Sequence, residues 1–283
     1  MHAPLIELND GTRIPQVGFG VWQLPNGDAP AIVGHALQAG YRHIDTAHAY
    51  HNEAGVGRAV RDSGVPRDEI FVTSKLWNLF HGHDEALRAF DASLERLGLE
   101  YLDLYLIHWP VPMEDRYVDT WKALIRLRES GRVRSIGVSN FTEDHLDRIV
   151  AETGVVPVVN QIELHPKFQQ RGARHFHDKL GVRIESWSPL GQGNVMAHEA
   201  LKAIAAKHGV GVGQVILRWH VEQGLIVIPR SKTPKHIEDN LRIFGFALDK
   251  DDMAAIAAMD APDGRIGPVP EELGPVPLPP NES

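Results

Sequence analysis

The chain is 283 residues long, and its 29 Lys+Arg against 37 Asp+Glu give a formal net charge of −8. That balance excludes the basic stripe a nucleic-acid binder needs to displace phosphate counterions. Hydrophobic residues at 43% and charged residues at 23% exclude a mainly disordered chain, while Cys 0 excludes disulfides, thiolate metal sites and a cysteine nucleophile.

The N-terminus lacks a basic region followed by an apolar stretch, and no run approaches the roughly 20 apolar residues of a membrane span. A soluble, uncleaved, cytoplasmic chain with no membrane contact is expected. LIEL and RIPQV flank Asn9-Asp10-Gly11, and Asp-Gly between apolar runs predicts a hairpin. Eight short apolar runs rich in β-branched residues then read as strands: Val17–Val21, Arg42–Thr46, Ile70–Lys75, Leu102–His108, Ser135–Ser139, Val156–Ile162, Arg183–Trp187 and Leu225–Pro229. Segments of helical period alternate with them at Asp28–Ala39, Glu53–Ser63, Asp84–Leu97, Val118–Glu129, Asp144–Glu152, Ala173–Lys179 and Val212–Glu222. Two more follow at Pro234–Arg242 and Lys250–Met259, and the Gly- and Pro-rich end from Pro262 to Ser283 predicts a loop or a disordered tail.

This alternation predicts an α/β fold, a (β/α)8 TIM barrel spanning 1–283 as a single domain, with an N-terminal β-hairpin across its N-terminal mouth and extra C-terminal helices and loop. In such barrels the active site forms at the C-terminal ends of the strands. The polar residues just past each run are therefore the candidates. They include Trp22, Asp45, Tyr50, Lys75, Trp77, His108, Trp109, Ser139, Asn140, Gln161, Trp187, Ser188, Arg230, Ser231 and Lys232.

Four of these can act together. A phenol with a pKa of about 10 is a poor acid at neutral pH, but an ammonium about 4 Å away stabilises the phenolate by about 4 kcal/mol at an effective dielectric of about 20. Lys75 is thus expected to make Tyr50 a usable proton donor, with Asp45 aiming Lys75 and neutral His108 bonding a substrate oxygen. The same spacing equally fits a structural Asp45–Lys75 ion pair, with Tyr50 and His108 satisfying rim hydrogen bonds. No G-x-G-x-x-G follows any strand, so a Rossmann fingerprint is absent. Arg230-Ser231-Lys232-Thr233 before a Pro-initiated helix is a candidate anion site, and Trp187 offers a flat face to a ring.

The motifs GYRHIDTAHAYHNEAGVGRAV, VTSKLWN, DLYLIHWPVP, GVSNF, VNQIELHP, SWSPLGQG and IPRSKTPKHIEDNL, in this order from about Leu8 to Leu248, resemble the successive signatures of the aldo-keto reductase superfamily. The resemblance implies a barrel that binds NADPH in extended form and reduces aldehydes and ketones. It implies Tyr50 as general acid, tuned by Lys75 and Asp45, with His108 orienting the carbonyl. For the cofactor it implies contacts from Val21, Trp22, Ser139, Asn140, Gln161, Trp187, Ser188, Pro189, Leu190 and Gln192. It further implies the 2′-phosphate at Arg230, Ser231, Lys232, Thr233 and His236, and adenine at Asp239 and Asn240. His236 stands where most of the family has arginine, so NADH is admitted beside NADPH. The substrate pocket would be Trp22, Trp77, His108 and Trp109, suited to flat or apolar carbonyls. The short end DGRIGPVPEELG resembles bacterial members such as the diketogluconate reductases and implies an open pocket, with Arg265 a candidate partner for an anionic substrate.

Three rivals follow from the same residues. The first is a non-catalytic, NADP(H)-binding regulatory barrel, against which all four catalytic residue types are present. The second is a barrel glycosidase using Glu163 and Glu185, with the facing of Glu185 open. The third is a metal enzyme using His81 and His83, or His175 and His177. One pair lies in a loop and the other on a helix where i and i+2 face apart, so no metal is expected. The partner expected is a small carbonyl compound. No nucleic acid, membrane or protein partner is inferred.

Overall fold

The computed structural model describes residues 3–278. Strands β1 (Leu5–Glu7) and β2 (Arg13–Pro15) pair antiparallel across the Asp10-Gly11 turn. The chain then runs through β3 (Phe19–Gly20), α1 (Ala29–Ala39), β4 (His43–Asp45), α2 (Glu53–Asp62), β5 (Phe71–Leu76), α3 (His83–Leu97) and β6 (Leu102–Ile107). There follow α4 (Tyr117–Glu129), β7 (Val133–Ser139), α5 (Glu143–Thr153), β8 (Val159–Glu163), α6 (Arg171–Leu180) and β9 (Arg183–Trp187). The last elements are α7 (Glu199–His208), α8 (Val212–Glu222), β10 (Ile226–Val227), α9 (Pro234–Leu241) and α10 (Lys250–Ala257).

Strands β3 to β10 form one parallel sheet in chain order. The first and last strands close it: Val17 bridges Val227, and Gly18 N and Gly20 N donate to the carbonyls of Val227 (2.8 Å) and Pro229 (3.2 Å). The (β/α)8 reading therefore stands, and each expected strand overlaps an observed one. The first and last are shorter than expected, and Pro229, just past the last, has no N–H to extend the ladder.

The hairpin covers the N-terminal mouth. Asp10 accepts from Ser135 (2.8 Å) at the start of β7, Asn9 donates to Pro157 O (2.9 Å), and Leu8 and Ile14 pack on Leu104, Leu106, Val159 and Ile226 of the barrel interior. The lower interior is thus apolar and closed. Higher up, the inward residues turn polar: His43 and Asp45, Thr73 and Lys75, Gln161, and Glu185. Enclosed polar groups must be partnered, and this layer is where the site is built.

One helix was not expected. Helix α7 is Ala-rich and carries little apolar contrast between its faces, yet Leu201, Ile204 and Ala205 bury against α8 and α10. The residues from Pro262 to Leu278 form irregular chain as expected, but seated rather than loose: Val276 O accepts from Trp77 Nε1 (3.2 Å). The remainder of the expected tail, 279–283, lies outside the described residues. Among the described residues no helix is long and apolar enough to cross a membrane.

Candidate active site

Asp45 ends β4 and Lys75 lies near the end of β5, paired strands whose inward residues stand side by side. Lys75 Nζ donates to Asp45 Oδ1 (2.6 Å), to Thr46 O (2.9 Å) and to Tyr50 Oη (3.3 Å). Tyr50 comes from the turn His48–Tyr50 after β4, and its ring meets His108 edge-on at 5.7 Å between centroids. The four residues thus meet at one rim. Beyond the Asp45–Lys75 ion pair, Tyr50 shares the Lys75 ammonium.

Burial acts to lower Lys75, but Asp45, Tyr50 and Glu185 outweigh it and hold the ammonium above its ordinary value. Asp45 is pushed up by burial against the pull of Lys75 and Gln161. The short contact and the second acceptor at Thr46 keep the proton on Lys75. Burial first, and Lys75 second, hold His108 well below the ordinary range, so its ring is neutral.

The expected effect on Tyr50 needs correction. Lys75 does pull the phenol down, but burial and the Asp45 charge push it further up, and the net direction is upward. A coulombic estimate between two groups leaves out the loss of water around the phenolate, and here that loss decides the sign.

Above the quartet lies a cavity of about 700 Å³, walled by Trp22, Trp77 and Trp109 and running past Trp187 to Arg230. Ser139, Asn140, Gln161, Ser188, Pro189, Leu190 and Gln192 line it as expected. Gln161 Nε2 is committed to Asp45 (2.9 Å) and Glu185 (2.7 Å), so only its oxygen end is left for a ligand. Asn140 donates to His108 O (2.9 Å) and accepts from Trp187 Nε1 (2.8 Å), which fixes that ring. The backbone at Ser188, Gly191, Gln192 and Gly193 takes φ of 48°, 56°, 51° and 91°. Within this curl Gly191 N and Gly193 N donate to Ser188 O (2.8 Å) and Leu190 O (3.0 Å).

Val21 is not a lining residue. It is fully buried and its carbonyl accepts from Asn52 Nδ2 (2.8 Å), because Val21 and Trp22 face opposite ways and only the tryptophan reaches the cavity. Arg230 lines the far end, while Ser231, Lys232, Thr233 and His236 sit beside it on the exposed entry to α9. Among the described residues no carboxylate lies within ion-pair reach of Arg230 or Lys232, which leaves two free cations at a helix N-terminus. Asp239 pairs with Lys235 (2.5 Å), and Asn240 is buried.

The rival assignments find no support in this geometry. Glu185 faces inward, beneath Asp45 and against His43, and is pushed up to about 8 by burial and by the Asp45 charge. Glu163 accepts from Ile266 N and Gly267 N, so the two carboxylates do not flank a shared opening. His81 is buried, His83 pairs with Asp84, and His177 bonds Asn160 (2.8 Å). Among the described residues no three His, Asp or Glu side chains cluster to hold a metal. Arg265 stacks over Phe168 at 4.6 Å and does not line the cavity. What the sequence reading missed is the C-terminal wall, Gly267, Leu273 and Val276, since Gly- and Pro-rich chain has no periodicity from which to read burial.

A family model described as "Aldo/keto reductase family" matches residues 16–261. The chain is 54% identical over 268 residues to an aldo-keto reductase of Mycolicibacterium smegmatis, covering 95% of this chain and 97% of that one. It is 47% identical over 272 residues to the methylglyoxal reductase DkgA of Salmonella typhimurium, covering 95% and 98%. Its fold superposes on the crystal structure of a Gox0644 mutant in complex with NADPH with a TM-score of 0.93, at 52% identity over 96% of this chain and 99% of that one.

Proposed function

The chain belongs to the aldo/keto reductase family, and we propose that its four rim residues carry the family's carbonyl reduction, with Tyr50 giving the proton. It is an NADP(H)-dependent oxidoreductase that reduces aldehydes and ketones to alcohols. The observation that carries the assignment of roles is Lys75 Nζ, shared between Asp45 Oδ1 and Tyr50 Oη at the foot of a tryptophan-walled cavity.

When bound, NADPH supplies the hydride for the carbonyl carbon. The protein's part is to receive the negative charge that then grows on the oxygen. Neutral His108, whose Nδ1 has no hydrogen-bond partner among the described residues, offers Nε2–H to that oxygen and aligns it. Tyr50 Oη gives up its proton, and Lys75 stabilises the phenolate left behind. The upward shift of the Tyr50 phenol is no obstacle, because an alkoxide is a stronger base than a phenolate. It keeps the donor protonated throughout the neutral range.

The residues fit the cofactor along its length. Trp187 presents a fixed face for the nicotinamide, Asn140, Ser139 and the oxygen of Gln161 suit the carboxamide, and the 188–193 curl suits the pyrophosphate. Arg230, Lys232 and the start of α9 suit the 2′-phosphate, with Asp239 and Asn240 on the adenine side. The direct test is loss of NADPH absorbance across a panel of aldehydes, 2-oxoaldehydes, ketoses and ketones. The kinship to a methylglyoxal reductase puts small dicarbonyls first. No turnover of any carbonyl, with NADPH bound, would refute the assignment of roles.

His236, exposed in the first turn of α9, gives a second test. His236→Arg places a permanent charge beside the phosphate site, and one charge-assisted contact of about 1.5 to 3 kcal/mol corresponds to about ten- to a hundred-fold in affinity. NADPH binding tightens by up to that factor and NADH binding stays nearly unchanged. Equal change for both cofactors, measured by titration, would place His236 away from the 2′-phosphate.

A further inference from the structure

Glu163, the last residue of β8, is 2% exposed, and among the described residues its carboxylate accepts three hydrogen bonds. Its Oε1 accepts from Ile266 N (2.7 Å) and His165 Nε2 (3.0 Å), and its Oε2 accepts from Gly267 N (2.8 Å). Two consecutive backbone amides are thus gripped by the two oxygens of one carboxylate. The segment leading up to them is fixed on the same support. Ala261 N donates to Lys167 O (3.0 Å), Arg265 stacks over Phe168, and a Cβ on Gly264 would stand 1.9 Å from Lys167 O.

Gly267 then meets Trp187 directly. A Cβ at this position would lie 2.4 Å from Trp187 Cη2 and 3.0 Å from Glu163 Oε2, so only glycine admits the approach. Farther along the same edge of the indole, Asn140 holds the ring through the 2.8 Å bond from Nε1. Trp187 is therefore braced at two points along that edge, by Asn140 within the barrel and by bare backbone that Glu163 holds in place.

We propose that Glu163 is a positioning residue for the cofactor: by clamping Ile266 and Gly267 it braces Trp187 and fixes the face offered to the nicotinamide before the cofactor arrives. The inference rests on the placement of the nicotinamide against Trp187 given above. A ring already held in its binding rotamer loses less freedom on association, which is the general gain from preorganisation. Gly267 is the other half of the device, since the brace works only if the backbone can touch the ring.

Glu163→Gln keeps the shape but turns an N–H toward a backbone N–H, so one prong of the grip is lost together with the charge on the other. Gly267→Ala keeps the amide that Glu163 grips, while its Cβ displaces the ring and crowds Glu163 Oε2. Both variants are expected to weaken NADPH binding about tenfold, a loss the size of one charge-assisted contact, in titrations of tryptophan fluorescence. The loss falls on KM for NADPH rather than on kcat, and the melting temperature of the cofactor-free protein falls by only a few degrees.

Trp187→Leu separates this inference from the reading it rests on. If Trp187→Leu binds NADPH as the unaltered protein does, the nicotinamide does not lie on Trp187 and both ideas fail. If Trp187→Leu weakens binding while Glu163→Gln and Gly267→Ala bind within twofold of the unaltered protein, the brace alone is overturned. A lowered melting temperature with unchanged NADPH affinity likewise reduces Glu163 to a structural anchor. Should Glu163→Gln not fold, Gly267→Ala decides on its own.

Discussion

Tyr50→Phe loses carbonyl reduction by about 10²- to 10⁴-fold, the usual worth of a positioned general acid, while still binding NADPH. The substitution removes one oxygen and leaves the ring, whose edge contact with His108 is made by carbon. Lys75 keeps Asp45 and Thr46 O as acceptors, so the ammonium remains partnered and the interior is not left with an unpaired charge. The measurement is single-turnover NADPH oxidation, with cofactor affinity taken from a separate titration. A variant that retains more than a tenth of the rate when chemistry is limiting would sink the assignment of Tyr50. The unaltered enzyme has its own signature. Because the phenol is pushed upward, the protonated donor persists through the neutral range, and reduction declines only as alkaline pH passes through the Tyr50 titration. The reverse reaction needs the phenolate and rises over the same interval.

Lys75→Met is the second large effect. It removes the one group that pulls Tyr50 down and leaves Asp45, which pushes it up. The direction is fixed: the Tyr50 titration moves to higher pH, and the alkaline limbs of both reaction directions move with it. With Nζ 3.3 Å from Oη, the charge is worth about 5 kcal/mol at an effective dielectric of about 20. Turnover at neutral pH falls by about 10² or more, since the phenolate formed in the transition state has lost its counter-charge. Asp45 is left buried without its cation, a change of about 3 to 5 kcal/mol in stability that protonation of the carboxyl reduces. Lys75→Met with Asp45→Asn removes that complication and is expected to restore the melting temperature without restoring the rate. An unchanged pH profile and unchanged rate in either variant would make Lys75 a purely structural residue.

The sequence by itself determined the barrel and the rim. Short apolar runs rich in β-branched residues, alternating with segments of helical period, bury their faces by layering helices around a parallel sheet, and the polar residues that end each run then share one face of it. That is why Asp45, Tyr50, Lys75 and His108 are legible as one group in the sequence. Only the tertiary structure decided three further matters. It turned Val21 away from the cavity and Glu185 into the interior, because strand ends set facing by register, and one residue of register exchanges the two sides. It set the upward direction of the Tyr50 titration, because desolvation depends on every neighbour that excludes water and not on the single charge legible from spacing. And it brought the aperiodic chain at 261–276 onto Glu163, Trp187 and Trp77. Contacts of that kind are made by backbone amides and by a missing side chain at Gly267, and a sequence of side chains carries no pattern that announces them.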